Sequence, residues 1–144
     1  MLGIESVNHI GIRISDKATS IDFYQTLGFE LIADAGFDEG HPVIMKHQSG
    51  VVVNLLGPAT VADNSNILMD VDDKYTGITH FALTVSSLDD AKTFVADKNI
   101  KITGSFSFGA MSAIFIRDPD RNVIELDAFA ASESNHDGDY AEHP

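Results

Sequence analysis

Apolar and polar residues alternate with period two along Ile10-Gly11-Ile12-Arg13-Ile14 and again along Phe81-Ala82-Leu83-Thr84-Val85. Such alternation predicts strands with one buried face. The opposite face carries His9, Gly11 and Arg13 in the first strand, and His80, Ala82 and Thr84 in the second. Each strand is followed by apolar residues at helical spacing. Ala18, Ile21, Tyr24 and Leu27 predict a helix over Lys17–Leu27, and Leu88, Ala91, Phe94 and Val95 predict one over Leu88–Lys98. Gly28 and Asn99 stand where a helix stops in the left-handed conformation. Ser86-Ser87-Leu88-Asp89 reads as a capping box. Extended segments follow near Phe29–Ala33 and Ile100–Phe106, and a hairpin then closes each half, turning at Lys46–Gly50 or Arg117–Asn122.

The two halves match at a fixed offset. Shifting the chain by 71 residues lays Val7–Gly57 on Ile78–Ala128 without a gap. Only six pairs are identical: His9/His80, Ser15/Ser86, Phe23/Phe94, Phe37/Phe108, Val52/Val123 and Leu55/Leu126. The shared alternation says more than the identities, and it predicts a duplicated strand–helix–strand–strand–strand unit. The fold class expected is α+β, with paired βαβββ modules over residues 1–56 and 78–130. Gly57-Pro58 and Asp63-Asn64-Ser65-Asn66 mark 57–77 as a linking loop. Residues 131–144 read as a solvated, disordered tail.

Composition narrows the class. The chain of 144 residues holds 22 acidic and 9 basic side chains, a formal net charge of −13. That excess opposes nucleic acid, which needs basic surface to replace its counterions, and an anionic membrane likewise. The tail contributes −4, and the 57–77 loop −3 through Asp63, Asp70, Asp72 and Asp73 against Lys74. Both runs read as solvated charge, with binding of a cationic ligand as the lesser alternative. Without cysteine there is no disulfide, thiolate nucleophile or cysteine-held zinc. No secretory signal and no spanning run of apolar residues is legible, so a cytoplasmic location is expected.

The candidate chemistry lies on the polar faces. In the last strand Ile124 and Leu126 oppose Val123, Glu125 and Asp127, and in its counterpart Val53 and Leu55 oppose Val52, Asn54 and Leu56. His9, His80, Glu125 and Asn54 therefore fall on corresponding faces of the two modules. Two imidazoles and a carboxylate suit one divalent cation (Fe, Ni, Zn, Mn or Co) and leave positions open for water or substrate. Either histidine alone reads more readily as an ordinary core residue, but Glu125 inside an apolar run is costly to bury unless paired or coordinated. Arg13 suits a substrate carboxylate or a place in solvent equally well. His41 and His47 read as surface histidines, His136 and His143 as incidental to the tail, and Phe23 and Tyr24 as core.

Three segments resemble the vicinal oxygen chelate superfamily, which holds glyoxalases, bleomycin-resistance proteins and extradiol dioxygenases. They are Val7–Ile12, Ser20–Phe29 and Asp118–Leu126, and the resemblance covers about Val7–Phe129. It implies an open cleft around a divalent metal held by His9, His80 and Glu125, with a small-molecule substrate chelating through vicinal oxygens. Glyoxalase I carries a fourth ligand, a glutamate, where this chain has Asn54. The three-ligand set matches ring-cleaving dioxygenases, yet Phe115 stands where their acid–base tyrosine is expected. Arg13 matches a glutathione-binding arginine, whereas Pro58 replaces the asparagine that accompanies it. The resemblance thus implies lyase or isomerase chemistry of the lactoylglutathione-lyase kind through a metal-stabilised enediolate, with Glu125 both ligand and proton shuttle. Ring-cleaving oxygenation is the alternative, and drug sequestration without catalysis is another. It also implies a homodimer.

Overall fold

The computed structural model describes residues 1–61, 63–130 and, as backbone, 139–142. It divides into two compact units, Met1–Asp63 and Asn64–Pro144. The boundary falls inside the expected linking loop.

The first unit contains β1 (Ile10–Arg13), α1 (Lys17–Thr26), β2 (Phe29–Asp34), β3 (Val43–His47) and β4 (Val52–Leu56), with a 3-10 turn at Phe37–Glu39. Its sheet runs β1-β4-β3-β2, with β1 parallel to β4 and the other neighbours antiparallel. Asp16 caps α1 by accepting from the Thr19 N–H at 2.9 Å, and Gly28 ends the turn beyond it at φ 100°. The core consists of Ile12, Ile14, Tyr24, Phe29, Phe37, Val43, Met45, Val53 and Leu55. The helix face differs from expectation. Ser20 and Tyr24 are buried, Ile21 and Leu27 only half-buried, and Ala18 exposed. Tyr24 fixes that rotation, since its ring is edge-on to Phe29 with centroids 5.8 Å apart.

The second unit contains β5 (His80–Thr84), α2 (Leu88–Asp97), β6 (Gly104–Phe108), β7 (Met111–Arg117), β8 (Val123–Phe129) and β9 (Asp139–Glu142). Its sheet runs β5-β8-β7-β6-β9, again with the first pair parallel. The cap of α2 sits one residue later than the capping box predicts: Ser87, not Ser86, accepts from the Asp90 N–H, at 3.2 Å. Val95 is the helix's buried residue, and α2 packs on β7 and β8, which bury Ile114, Ile116, Ile124 and Leu126. Residues 100–103, expected to be extended, precede β6, and the Thr103 N–H already donates to the Phe115 carbonyl of β7 at 2.8 Å.

The duplication extends to register. Gly11 and Ile44 flank Asn54 in the first sheet, as Ala82 and Phe115 flank Glu125 in the second. Each member of one row is the other's partner under the 71-residue shift. Apolar period therefore specified pairing as well as strand identity, because slipping by one residue would invert both faces.

Two expectations need correction. The tail is not wholly without structure: Asp139–Glu142 pairs with β6, Ser105 opposite Glu142 and Ser107 opposite Asp139. An unpaired sheet edge offers backbone donors and acceptors to any nearby strand, a pull that side-chain composition does not register. Residues 131–138 and 143–144, with His136 and His143, lie outside the described residues. Nor is Asp70 a solvated loop charge. It accepts from Arg121 Nε at 2.8 Å, Arg117 Nη2 at 2.9 Å and the Asn66 N–H at 2.7 Å. This cluster fastens 66–70 to the β7–β8 end and explains why that segment belongs to the second unit. No described helix is long and apolar enough to cross a membrane.

Candidate metal centre

In the second unit the predicted residues converge. His80 opens β5 opposite Val123, and Glu125 lies on β8 opposite Ala82. His80 Nε2 stands 3.9 Å from Glu125 Oε1, with the imidazole 35% and the carboxylate 9% exposed. The other ring nitrogen, Nδ1, is 2.8 Å from Thr79 Oγ1. Phe115 backs the site: its ring is edge-on to His80 and stacked on Phe106, with centroids 5.9 and 5.8 Å away. Burial pushes the Glu125 carboxyl above its ordinary value; the neighbouring Asp127 charge and a hydrogen bond between the two add to the rise.

In the first unit His9 differs from expectation by one residue. It precedes β1 and is exposed, instead of sitting within the strand. Its Nδ1 lies 2.7 Å from Asn8 Oδ1. Asn8 and Thr79 correspond under the 71-residue shift, so each histidine has its Nδ1 occupied by the residue before it. At His9 the Asn8 amide oxygen can only accept, which puts the proton on Nδ1, whereas at His80 the Thr79 hydroxyl can donate to Nδ1 or accept from it. Asn54 is half-buried, and its side-chain oxygen is buried with no hydrogen-bond partner. Such an orphan acceptor fits a cation or an incoming donor. Arg13 is exposed at the end of β1 and pairs with no carboxylate among the described residues.

These donors suit a divalent cation in kind: imidazole nitrogens, a buried carboxylate and an unsatisfied amide oxygen. Among the described residues, however, no three His, Asp or Glu side chains stand together as a formed cage. The other described histidines, His41 and His47, lie apart from these donors in the sequence of the first unit. His47 Nδ1 accepts from the Ser49 N–H at 3.0 Å and its ring leans on Phe29, while His41 is exposed. Sequence reasoning missed Asp127, buried beside Glu125. The signal was present in the alternation, which puts both acids on one face.

Comparison with known proteins decides the family. The model of the "Glyoxalase/Bleomycin resistance protein/Dioxygenase superfamily" matches residues 6–126. The chain belongs to this superfamily. It is 25% identical over 132 residues to the glyoxalase domain-containing protein RDO1 of Mycosarcoma maydis, covering 89% of this chain and 70% of that protein. Among solved structures, lactoylglutathione lyase of Agrobacterium tumefaciens superposes with a TM-score of 0.64 at 18% identity, covering 88% of this chain and 95% of its own. TnmS3, an antibiotic binding protein of Streptomyces sp. CB03234, gives 0.67 at 20% identity, covering 90% of this chain and all of its own (100%). At these identities both likenesses bear on the fold alone. The superfamily membership agrees with the paired βαβββ reading.

Proposed function

We propose that this superfamily member is a metal-dependent enzyme of the lactoylglutathione-lyase kind. In this reading His9, His80 and Glu125 hold one divalent cation and Asn54 faces it as a weak oxygen donor or a substrate contact. The observation that supports the reading is the pair of histidines at corresponding positions of the two modules, each with Nδ1 engaged by the preceding side chain, and the His80 Nε2 standing 3.9 Å from the buried Glu125 carboxylate. Such outer-shell oxygens accompany nearly every metal-ligating histidine. A bound divalent ion supplies Lewis acidity, lowering the cost of negative charge on adjacent substrate oxygens.

The protein's own side chains would do the rest. Glu125, whose carboxyl burial raises above its ordinary value, would take up and return a proton at a carboxylate oxygen. Phe115 and Phe106 give the site an apolar wall that keeps water from one side of it. Arg13 offers a guanidinium fork to a substrate carboxylate. The chain would act as a cytoplasmic homodimer on a small oxygenated molecule.

A ring-cleaving dioxygenase is the second reading, favoured by the amide at Asn54, which leaves a two-histidine, one-carboxylate set. Sequestration of a drug without catalysis is the third, and the likeness to TnmS3 is its support. Turnover assays separate the three. The metal-loaded protein should isomerise the hemithioacetal of methylglyoxal and glutathione and leave catechol intact. Ring opening of catechol by the iron form would replace the first reading with the second; turnover of neither would favour the third.

A further inference from the structure

Asp127 lies two residues beyond Glu125 on β8, so both side chains leave the same face of the sheet. Its partner across the parallel ladder is Thr84, as Ala82 is the partner of Glu125. Thr84 Oγ1 donates to Asp127 Oδ1 at 2.8 Å, and the Val85 N–H donates to the Asp127 carbonyl at 2.7 Å. Side chain and backbone are thus both held. Glu125 and Asp127 are 7% and 6% exposed, and no lysine or arginine pairs with either among the described residues. Two adjacent buried acids with no lysine or arginine beside them, and only the His80 imidazole 3.9 Å from Glu125, are costly in an ordinary core. Filling the space did not require this charge, since an asparagine would accept from Thr84 equally well. A divalent cation beside Glu125 reverses the sign of the cost. Asn54, the counterpart of Glu125, brings no charge of its own.

We infer that Asp127, held by Thr84, supplies the second negative charge of the metal site and orients Glu125, as a positioning residue and not as a ligand. The inference rests on the metal reading above. Two carboxylates then balance a dication, the charge count that a second glutamate would otherwise provide.

The test is titration of the purified, metal-free full chain with Mn(II), reading the paramagnetic resonance signal of the free aquo ion. Wild type should bind Mn(II). Asp127→Asn should weaken binding at least about tenfold, the usual cost of losing a metal's outer-shell partner. It should do so without lowering the melting temperature of the metal-free protein. Asp127→Glu, which keeps the charge, should recover most of the affinity, and Thr84→Val should fall between. Unchanged affinity in Asp127→Asn overturns the inference. So does a loss of affinity that comes with an equal loss of metal-free stability in both Asp127→Asn and Asp127→Glu, since that pattern belongs to a structural acid. Equal binding by wild type and His80→Ala would instead sink the metal reading itself.

Discussion

Replacing Asp70 with asparagine removes one carboxylate charge and leaves two arginines facing each other. Asp70 is 15% exposed, Arg117 only 7% and Arg121 38%. The carboxylate accepts from both guanidiniums and from the Asn66 N–H, so each oxygen is satisfied. Arg117 has little else: Nη1 also donates to the Arg121 carbonyl at 2.9 Å, and its buried Nε has no partner. Asparagine keeps the shape but points an N–H₂ group at one guanidinium. Breaking a buried pair costs about 3–5 kcal/mol, because the remaining charge stays desolvated. Partial exposure of Arg121 argues for the lower end, about 3 kcal/mol. In a chain of 144 residues that is a fall in melting temperature of roughly 6–12 °C. Urea unfolding followed by circular dichroism gives the free energy directly. The pH dependence supplies a second check. The Arg121 hydrogen bond, helped by Arg117 and the Asn66 N–H, holds the Asp70 carboxyl well below the usual carboxylate range. A depressed folded-state value stabilises above the unfolded value near 4 and loses that stability as pH falls below it. Wild type should therefore lose its margin over Asp70→Asn on acidification. A difference under about 1 kcal/mol at neutral pH, the worth of a solvated pair, refutes the reasoning.

Three other substitutions probe the scaffold. Gly57 is buried where an added Cβ would meet the Phe37 ring and the Ile14 carbonyl, so Gly57→Ala should cost about 1–3 kcal/mol in urea unfolding. Ser87→Ala removes the acceptor for the Asp90 N–H and should cost about 1 kcal/mol by the same measurement, with Ser86→Ala near zero. Phe106→Ala strips the ring stacked on Phe115 and should cost about 2–3 kcal/mol, less than a fully buried phenylalanine because it is half-exposed. Light scattering at micromolar concentration should return twice the chain mass; a monomer would remove the homodimer from the proposal.

Much of the fold was legible because both of its periods are local. Alternation along Ile10–Ile14 and Phe81–Val85 sets strand faces, and the 71-residue offset carries that reading from one sheet to the other. The equivalence of Asn54 and Glu125 then follows from register. What escaped depends on contacts distant in sequence. Asp70 looks like any loop acid until Arg117 and Arg121, 47 and 51 residues away, are folded against it. Strand β9 forms through backbone pairing with β6, to which the acidic side chains of the tail give no clue. The rotation of α1 depends on the packing of Tyr24 against Phe29 instead of on the spacing of its apolar residues. At the site, the alternation already showed Asp127 on the face of Glu125, but its burial and its bond to Thr84 appear only in three dimensions.

The central claim is that His9, His80 and Glu125 hold a divalent metal. Elemental analysis of protein purified without added metal tests it most directly, on wild type, His9→Ala, His80→Ala and Glu125→Gln, with far-ultraviolet circular dichroism to verify folding. The account predicts about one equivalent of a transition metal per wild-type chain, and a large loss in each variant at unchanged dichroism. Equal metal content across all four proteins, or none in any after dialysis against Fe, Ni, Zn, Mn and Co salts, would contradict it.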